Sequence, residues 1–197
     1  MAEADEILVV DGGSSDATIA VAERAGARLI VAPRGRGIQL AAGAEAARGD
    51  WLLFLHADTL PAHRWHEAVE AHMAARSDRA ACFRFRLSAR AWQARAIEKA
   101  VAARVNLLGL PYGDQGLLIS RPLYDEVGGY RDLPLMEDVD LVRRIGRRRL
   151  VLLDAEAFTS AARWHRDGWL RRSARNLACL GLYRVGVSPE RIAKLYG

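Results

Sequence analysis

The sequence predicts an α/β fold with a mostly parallel sheet and flanking helices, passing into an α+β second half with C-terminal helices. Three observations predict it. The first strands are continuous apolar runs, as strands buried on both faces are. Helical patterns separate them, which is the order of a parallel sheet. From residue 80 the pattern alternates, which marks a sheet with one wet face. One domain over residues 1–197 is expected, a length that supports a full core.

The elements follow in order. Ile7–Val10 is β-branched-rich and ends at Asp11-Gly12-Gly13, so it reads as a strand that turns sharply. Ser14 or Ser15 is placed to cap a helix running to Ala25, and Gly26 ends it. Arg28–Ala32 is the second strand. The loop "PRGRG" leads to a small-residue helix, Ile38–Ala47, and Gly49-Asp50 turns into a third strand, Trp51–Leu55. Pro61–Arg76 reads as a helix. Ala80–Leu87 is a strand with Phe83 and Phe85 on one face and Arg84 and Arg86 on the other. A helix over Ala91–Leu108 places Trp92, Ile97, Val101 and Val105 on one side. "GLPYGDQG" is a loop, Leu117–Ser120 a short strand, "MEDVDLVRRIGRR" a helix and "LVLL" a strand. The last thirty or so residues form two helices split at Val187-Ser188-Pro189. There is no internal repeat or low-complexity tract.

Hydrophobic residues make up 51% of the chain, which excludes a disordered class. The net charge of +5 favours anionic partners without choosing among phosphates, nucleic acid and acidic membrane. No nucleic-acid-binding motif is present, so none is expected as a partner. Cys82 and Cys179 match no metal spacing and read as reduced, buried thiols of a cytoplasmic protein. No apolar run reaches membrane-spanning length, and "MAEADEILVV" lacks the pattern of a signal peptide.

Acidic residues fall where an open sheet binds ligands, beyond the carboxyl ends of its strands. Asp11 ends the first strand, Asp58 follows the third, and Glu137-Asp138 opens a helix. If "WLLFLHA" stays extended through His56, then His56 and Asp58 point the same way. One imidazole and one carboxylate do not enclose a metal, but Mg²⁺ or Mn²⁺ needs only one or two carboxylates when phosphates and waters complete its shell. "ADTLP" is equally well a helix cap followed by proline.

The motifs together resemble the family 2 glycosyltransferases of the GT-A fold, in a subgroup of small bacterial members. "VVDGGSSDAT" is similar to that family's nucleotide-binding turn, "FLHADT" to its D-x-D metal motif with His56 in place of the first Asp, and "MEDVDLVRRI" to its E-D helix start. "RGRGIQLAAGAEAARGDWLLFLHADT" and "GDQGLLISRPLYDEVGGY" match in order and spacing. The resemblance implies transfer of a sugar from a UDP- or GDP-sugar to an acceptor hydroxyl, lipid-linked or small, with inversion. Asp11, Gly12, Gly13, Ser15 and Asp16 would bind the donor nucleotide. Asp58 and His56 would hold Mg²⁺ or Mn²⁺, and Asp138 would act as general base, with Glu137 second in line. Arg34 and Arg36 are placed to grip phosphate, or to form a solvated loop. His165 and Arg166 lie where relatives close a C-terminal loop over the diphosphate. Tyr112, Asp114 and Gln115 would line the acceptor side. His63, His66 and His72 share one helix and read as surface or boundary residues.

The pattern departs from the family at two places. Ala41 stands near a position that often carries asparagine. A strand and helix that members carry ahead of "EILVV" have no counterpart in the sequence given. The favoured expectation is a mis-assigned start with in-frame coding sequence upstream; gene decay and complementation by another segment are the alternatives. Two rivals are a nucleotidyltransferase, against which the acidic turn "DGGSSD" speaks, and an inactive nucleotide-binding or partner subunit of the same fold. The C-terminal segment, with Leu170, Leu177, Leu180 and Tyr183 among Arg171, Arg172, Arg175 and Arg184, reads as a helix packed on the domain or as a peripheral contact with an anionic membrane.

Overall fold

A computed structural model describes residues 4–196. Its strands are β1 (Leu8–Asp11), β2 (Arg28–Val31), β3 (Trp51–Phe54), β4 (Thr59–Pro61), β5 (Ala80–Leu87), β6 (Leu117–Ser120) and β7 (Leu150–Thr159). Its helices are α1 (Thr18–Arg24), α2 (Arg36–Ala46), α3 (Trp65–Ala75), α4 (Trp92–Leu108), α5 (Arg121–Glu126), α6 (Glu137–Ile145), α7 (Ala162–Asp167), α8 (Trp169–Arg184) and α9 (Pro189–Tyr196). Two ladders result. β1 and β2 pair in parallel, and a separate five-stranded sheet runs β3-β6-β5-β7-β4. In that sheet β5–β7 is parallel, while β3–β6, β5–β6 and β4–β7 are antiparallel. The expected mostly parallel pairing therefore holds for two ladders. Continuous apolar runs report burial on both faces but carry no direction.

Helices cover both faces of the larger sheet. On one face Ala44 of α2, Leu123 and Tyr124 of α5 and Leu141 and Ile145 of α6 pack with Leu52 and Ile119. On the other, Val69 of α3 packs with Phe83, Leu118 and Leu153. Phe85 and Leu87, beyond a register shift in β5, turn to a third cluster with Ala94 and Val101 of α4 and Trp164 of α7. The alternation read in β5 is seen: Phe83 and Phe85 are buried and Arg84 is exposed. Gly37 marks the tightest helix approach. A Cβ there would overlap the carbonyl oxygen of Arg131, so only glycine lets α2 dock on residues 131–133.

Several boundaries differ from expectation, each for a local reason. Helix α1 starts at Thr18 with no side-chain cap, because Ser14 is spent on Asp11 and Asp16 bonds the Thr18 N–H at 3.0 Å. Helix α2 begins at Arg36, so that arginine sits in a helical first turn and not in a loop. Thr59–Pro61, of which Pro61 is read as the first residue of a helix, is an edge strand on β7, where proline's missing N–H costs no ladder bond. Helix α3 starts only at Trp65. Trp92 is 75% exposed and leaves the face shared by Ile97, Val101 and Val105. α5 and α7 were not anticipated, and β7 runs ten residues where four were read.

Candidate active site

Strand ends explain why the site residues meet. β3 stops at Phe54, and the chain turns back within five residues, closed by the Thr59 N–H donating to the His56 carbonyl at 3.0 Å. The expected extension through His56 does not occur. His56 and Asp58 share a cavity because both lie on this tight turn, not because of strand alternation. β6 runs antiparallel to β3 with Leu117 opposite Phe54, so the loop before β6 arrives at the same edge. That loop holds Tyr112, Gly113 and Asp114. β7 ends with Thr159 opposite Thr59, their hydroxyls 2.9 Å apart, and the Ser160 N–H donates to the Asp58 carbonyl at 3.1 Å. The start of α6 completes the edge. Asp138 lines the cavity with His56, Asp58 and Asp114.

Asp138 is held from two sides. Its Oδ2 accepts from the Gly113 N–H and its Oδ1 from the Val139 N–H, both at 2.7 Å. It lies in the first turn of α6, where the helix dipole favours an anion. Glu137, its neighbour, points the other way. It is fully buried, does not line the cavity, and pairs with Arg36 Nε at 2.8 Å. Burial first, then the Asp138 charge, push its carboxyl up to about 7, against the pull of Arg36. A group protonated more readily in the folded chain makes stability fall as pH rises between about 4.5 and 7. Glu137→Gln is expected to remove that slope, so that its urea midpoint at pH 8 drops less from its pH 5 value than the wild type's does. Equal slopes in the two proteins would refute this placement of the charge.

Arg36 spans the site. Besides Glu137, its guanidinium lies 2.8 Å from His56 Nε2. Burial, then Arg36, push His56 down to about 4, so the ring is neutral near pH 7 and accepts from Arg36. Gly113 packs against this ring so closely that a Cβ would overlap Nε2. Gly113→Ala is expected to displace His56 and cut turnover by about tenfold or more, since small misplacements near reacting groups are costly. Its thermal midpoint should stay near the wild type's. An active Gly113→Ala would show that the ring position does not matter.

The structure separates the other anticipated residues. Asp11 is 4% exposed, and its carboxylate accepts from the N–H groups of Gly13 and Ser14 at 2.9 and 3.0 Å and from the Ser14 hydroxyl. Those bonds, the Ser14 hydroxyl first, hold it below the usual carboxylate range. It thus shapes the turn and does not line the cavity. Gly12, Gly13, Ser15 and Asp16 also lie off the cavity. Gln39 joins this turn to α2: its side chain donates to the Val10 carbonyl at 3.0 Å and sits against Gly12. Sequence reasoning missed Gln39; its sign is a polar residue inside an apolar helix. Arg34 is exposed. His165 is exposed against the Trp169 ring, and Arg166 pairs with Asp167 at 2.7 Å; neither lines the cavity. Arg163, one turn earlier, does, with its guanidinium 3.7 Å from Asp58. The run "ARWHRD" held the signal, but only the helical phase of α7 says which basic residue faces inward. His72 is buried and bonded to the Arg79 carbonyl at 2.9 Å, so it is a core residue. Gln115 is buried on the Phe83 carbonyl rather than lining the cavity.

The donor set fits a divalent cation finished by a ligand. Asp58 is partly exposed to the cavity, with an arginine already drawn to it, and His56 is neutral but spends its Nε2 lone pair on Arg36, so the carboxylate is the ligand ready for a cation. Among the described residues no group of three or more His, Cys, Asp or Glu is placed to hold a metal unaided. A cation here would be shared with phosphate oxygens and waters.

This sheet, with helices on both faces and acidic turns along one edge, is the GT-A glycosyltransferase fold. Glucosyl-3-phosphoglycerate synthase from Mycobacterium tuberculosis aligns with a TM-score of 0.51 at 19% identity, over 79% of this chain and 59% of that one. A further mycobacterial protein aligns with 0.51 at 24% identity, over 79% and 55%. GalNAc-T7, solved with UDP, GalNAc and Mn²⁺, aligns with 0.58 at 15% identity, over 79% and 37%. The chain therefore spans between about a third and three-fifths of the length of these proteins. Among curated proteins none matches. The model of glycosyl transferase family 2 matches residues 2–125, and the chain belongs to that family.

Proposed function

We propose that the chain transfers a sugar from a nucleoside-diphosphate sugar to an acceptor hydroxyl with inversion. The observation that carries this reading is the shared cavity of Asp58 and Asp138, one carboxylate placed for a diphosphate-bound cation and the other for a proton. Asp58 would hold Mg²⁺ or Mn²⁺, and His56 beside it would join as a ligand once its Nε2 is released by Arg36. When bound, the cation neutralises charge that builds on the leaving diphosphate. Asp138 takes the proton of the acceptor hydroxyl as it attacks the anomeric carbon from the face opposite the leaving group. Its two N–H partners keep the carboxylate oriented for that transfer. Arg163 moves from Asp58 to the donor phosphates, and Arg36 orients His56. The Asp11 turn supports the nucleotide.

The glucosyl-3-phosphoglycerate synthase was solved with Mn²⁺ and UDP-glucose in one structure and with phosphoglyceric acid in another, which supports a UDP-sugar donor, Mn²⁺ and a small acceptor. GDP-sugars, Mg²⁺, lipid-linked acceptors and a cytoplasmic setting belong to the proposal as well. So does peripheral membrane contact: on α8 Leu170, Arg171 and Leu177 are exposed, whereas Leu180 and Arg172 are buried. No described helix is long and apolar enough to cross a membrane. Flotation with anionic liposomes at low salt tests the contact, and failure to co-migrate removes it.

A second reading, an inactive nucleotide-binding or partner subunit, is favoured by one feature. β1 and β2 share no ladder with the larger sheet among the described residues. Product analysis separates the two. With an α-linked nucleotide sugar and Mn²⁺, proton NMR of the product should show a β-linkage. A retained configuration would refute inversion, and no nucleotide release with any donor would favour the binding subunit.

A further inference from the structure

We propose that Asp114 reads the transferred sugar, accepting hydrogen bonds from hydroxyls of the donor's ring, and so sets donor-sugar specificity rather than contacting the acceptor. This rests on the glycosyl-transfer reading above. Inverting displacement fixes the order of the parts. The leaving diphosphate lies on one side of the anomeric carbon and the attacking oxygen on the other. Asp58 marks the first side and Asp138 the second, so the sugar ring lies between them.

Asp114 is tied to both. The residue before it, Gly113, donates its N–H to Asp138 at 2.7 Å. Its own carbonyl accepts from Thr159 Oγ1 at 3.1 Å, and that hydroxyl lies 2.9 Å from Thr59, the neighbour of Asp58. The loop is stiff. Arg104 donates to the Leu110 carbonyl at 2.8 Å and stacks 3.4 Å over the Tyr112 ring, while Gln115 donates to the Phe83 carbonyl at 3.0 Å. A pre-set loop suits a group that discriminates between substrates.

The side chain itself asks for a donor. Asp114 lines the cavity, and its Oδ1 is shut from solvent without a hydrogen-bond partner among the described residues. Such an acceptor is unfavourable until a donor reaches it. Rotation about χ2 is soft for aspartate and turns either oxygen to the cavity. A carboxylate repels phosphate oxygens and accepts from ring hydroxyls, two of which on adjacent carbons match its two oxygens. Asp114 belongs to no described group of three acidic or imidazole side chains able to hold a cation.

The test is calorimetric titration, with Mn²⁺, of UDP, GDP, UDP-glucose, UDP-galactose and GDP-mannose into wild type, Asp114→Asn and Asp114→Ala. The nucleotide that binds wild type should bind both variants within about twofold, which also shows that they are folded. The sugar conjugate that binds best should lose about tenfold or more in Asp114→Ala and less in Asp114→Asn, as expected for lost hydroxyl recognition. Equal loss for nucleotide and conjugate, or no change for either, overturns the inference alone. Wild type that binds none of the five overturns it together with the reading on which it rests.

Discussion

Replacing Asp138 with asparagine is expected to lower kcat by about 10²–10⁴-fold while leaving the affinity for the donor nucleotide within about twofold of wild type. Asparagine keeps the shape and one acceptor oxygen for the Gly113 or Val139 N–H, so the start of α6 should hold. What disappears is the carboxylate that takes the proton. Glu137 does not substitute for it, because it is fully buried, paired with Arg36 and does not line the cavity. The expected pattern is thus a fall in kcat without a matching rise in donor KM. Steady-state kinetics with the best donor measure it. A variant with near wild-type kcat would move the base elsewhere, and a fall confined to donor KM would make Asp138 a binding residue.

Asp58→Ala has the second large effect. Its turnover is expected to lose its dependence on Mn²⁺ and to fall by at least about 10²-fold. Removing Asp58 also releases Arg163, whose side chain is 58% exposed and becomes a free cation at the diphosphate position. Residual activity that ignores metal is therefore the expected remainder. Double replacement, with Arg163→Ala, should remove it. Turnover in Asp58→Ala that still rises with Mn²⁺ as in wild type would show that the cation is held by other groups.

Strand positions were legible because β1, β2, β3 and β6 are short, mostly apolar runs between turn residues and β5 alternates. Their ladders were not. Direction follows from which strands become neighbours, and the pairing of β3 with β6 joins residues far apart in the chain. The same pairing hid the reason for the site. His56 and Asp58 were noticed for a two-residue spacing that a strand would align, and they meet instead on a turn held by Thr59. Their types were informative even though the expected local geometry was wrong. Asp138 was legible as an acidic helix start, whereas its separation from Glu137 required the helical phase of α6. Arg163 and Gln39 were hidden for the same reason: a basic or polar side chain in a helix gives no sign of the face it serves until that face has a neighbour. Asp114 is read on the acceptor side from its place in a loop, and the structure places it in the cavity with Asp58 and Asp138. The return of β6 beside β3 is what brings the loop before it to the cavity edge that holds Asp58.

If the Asp58 turn is one half of a diphosphate–cation site, nucleotide binding must depend on both the metal and that carboxylate. Calorimetric titration of UDP and of GDP, with and without Mn²⁺, on wild type and Asp58→Ala tests it most directly. One nucleotide is expected to bind wild type tightly only with Mn²⁺, and Asp58→Ala is expected to lose this metal-dependent gain. Binding that is the same with and without Mn²⁺, or unchanged in Asp58→Ala, or absent from folded wild type, would contradict it.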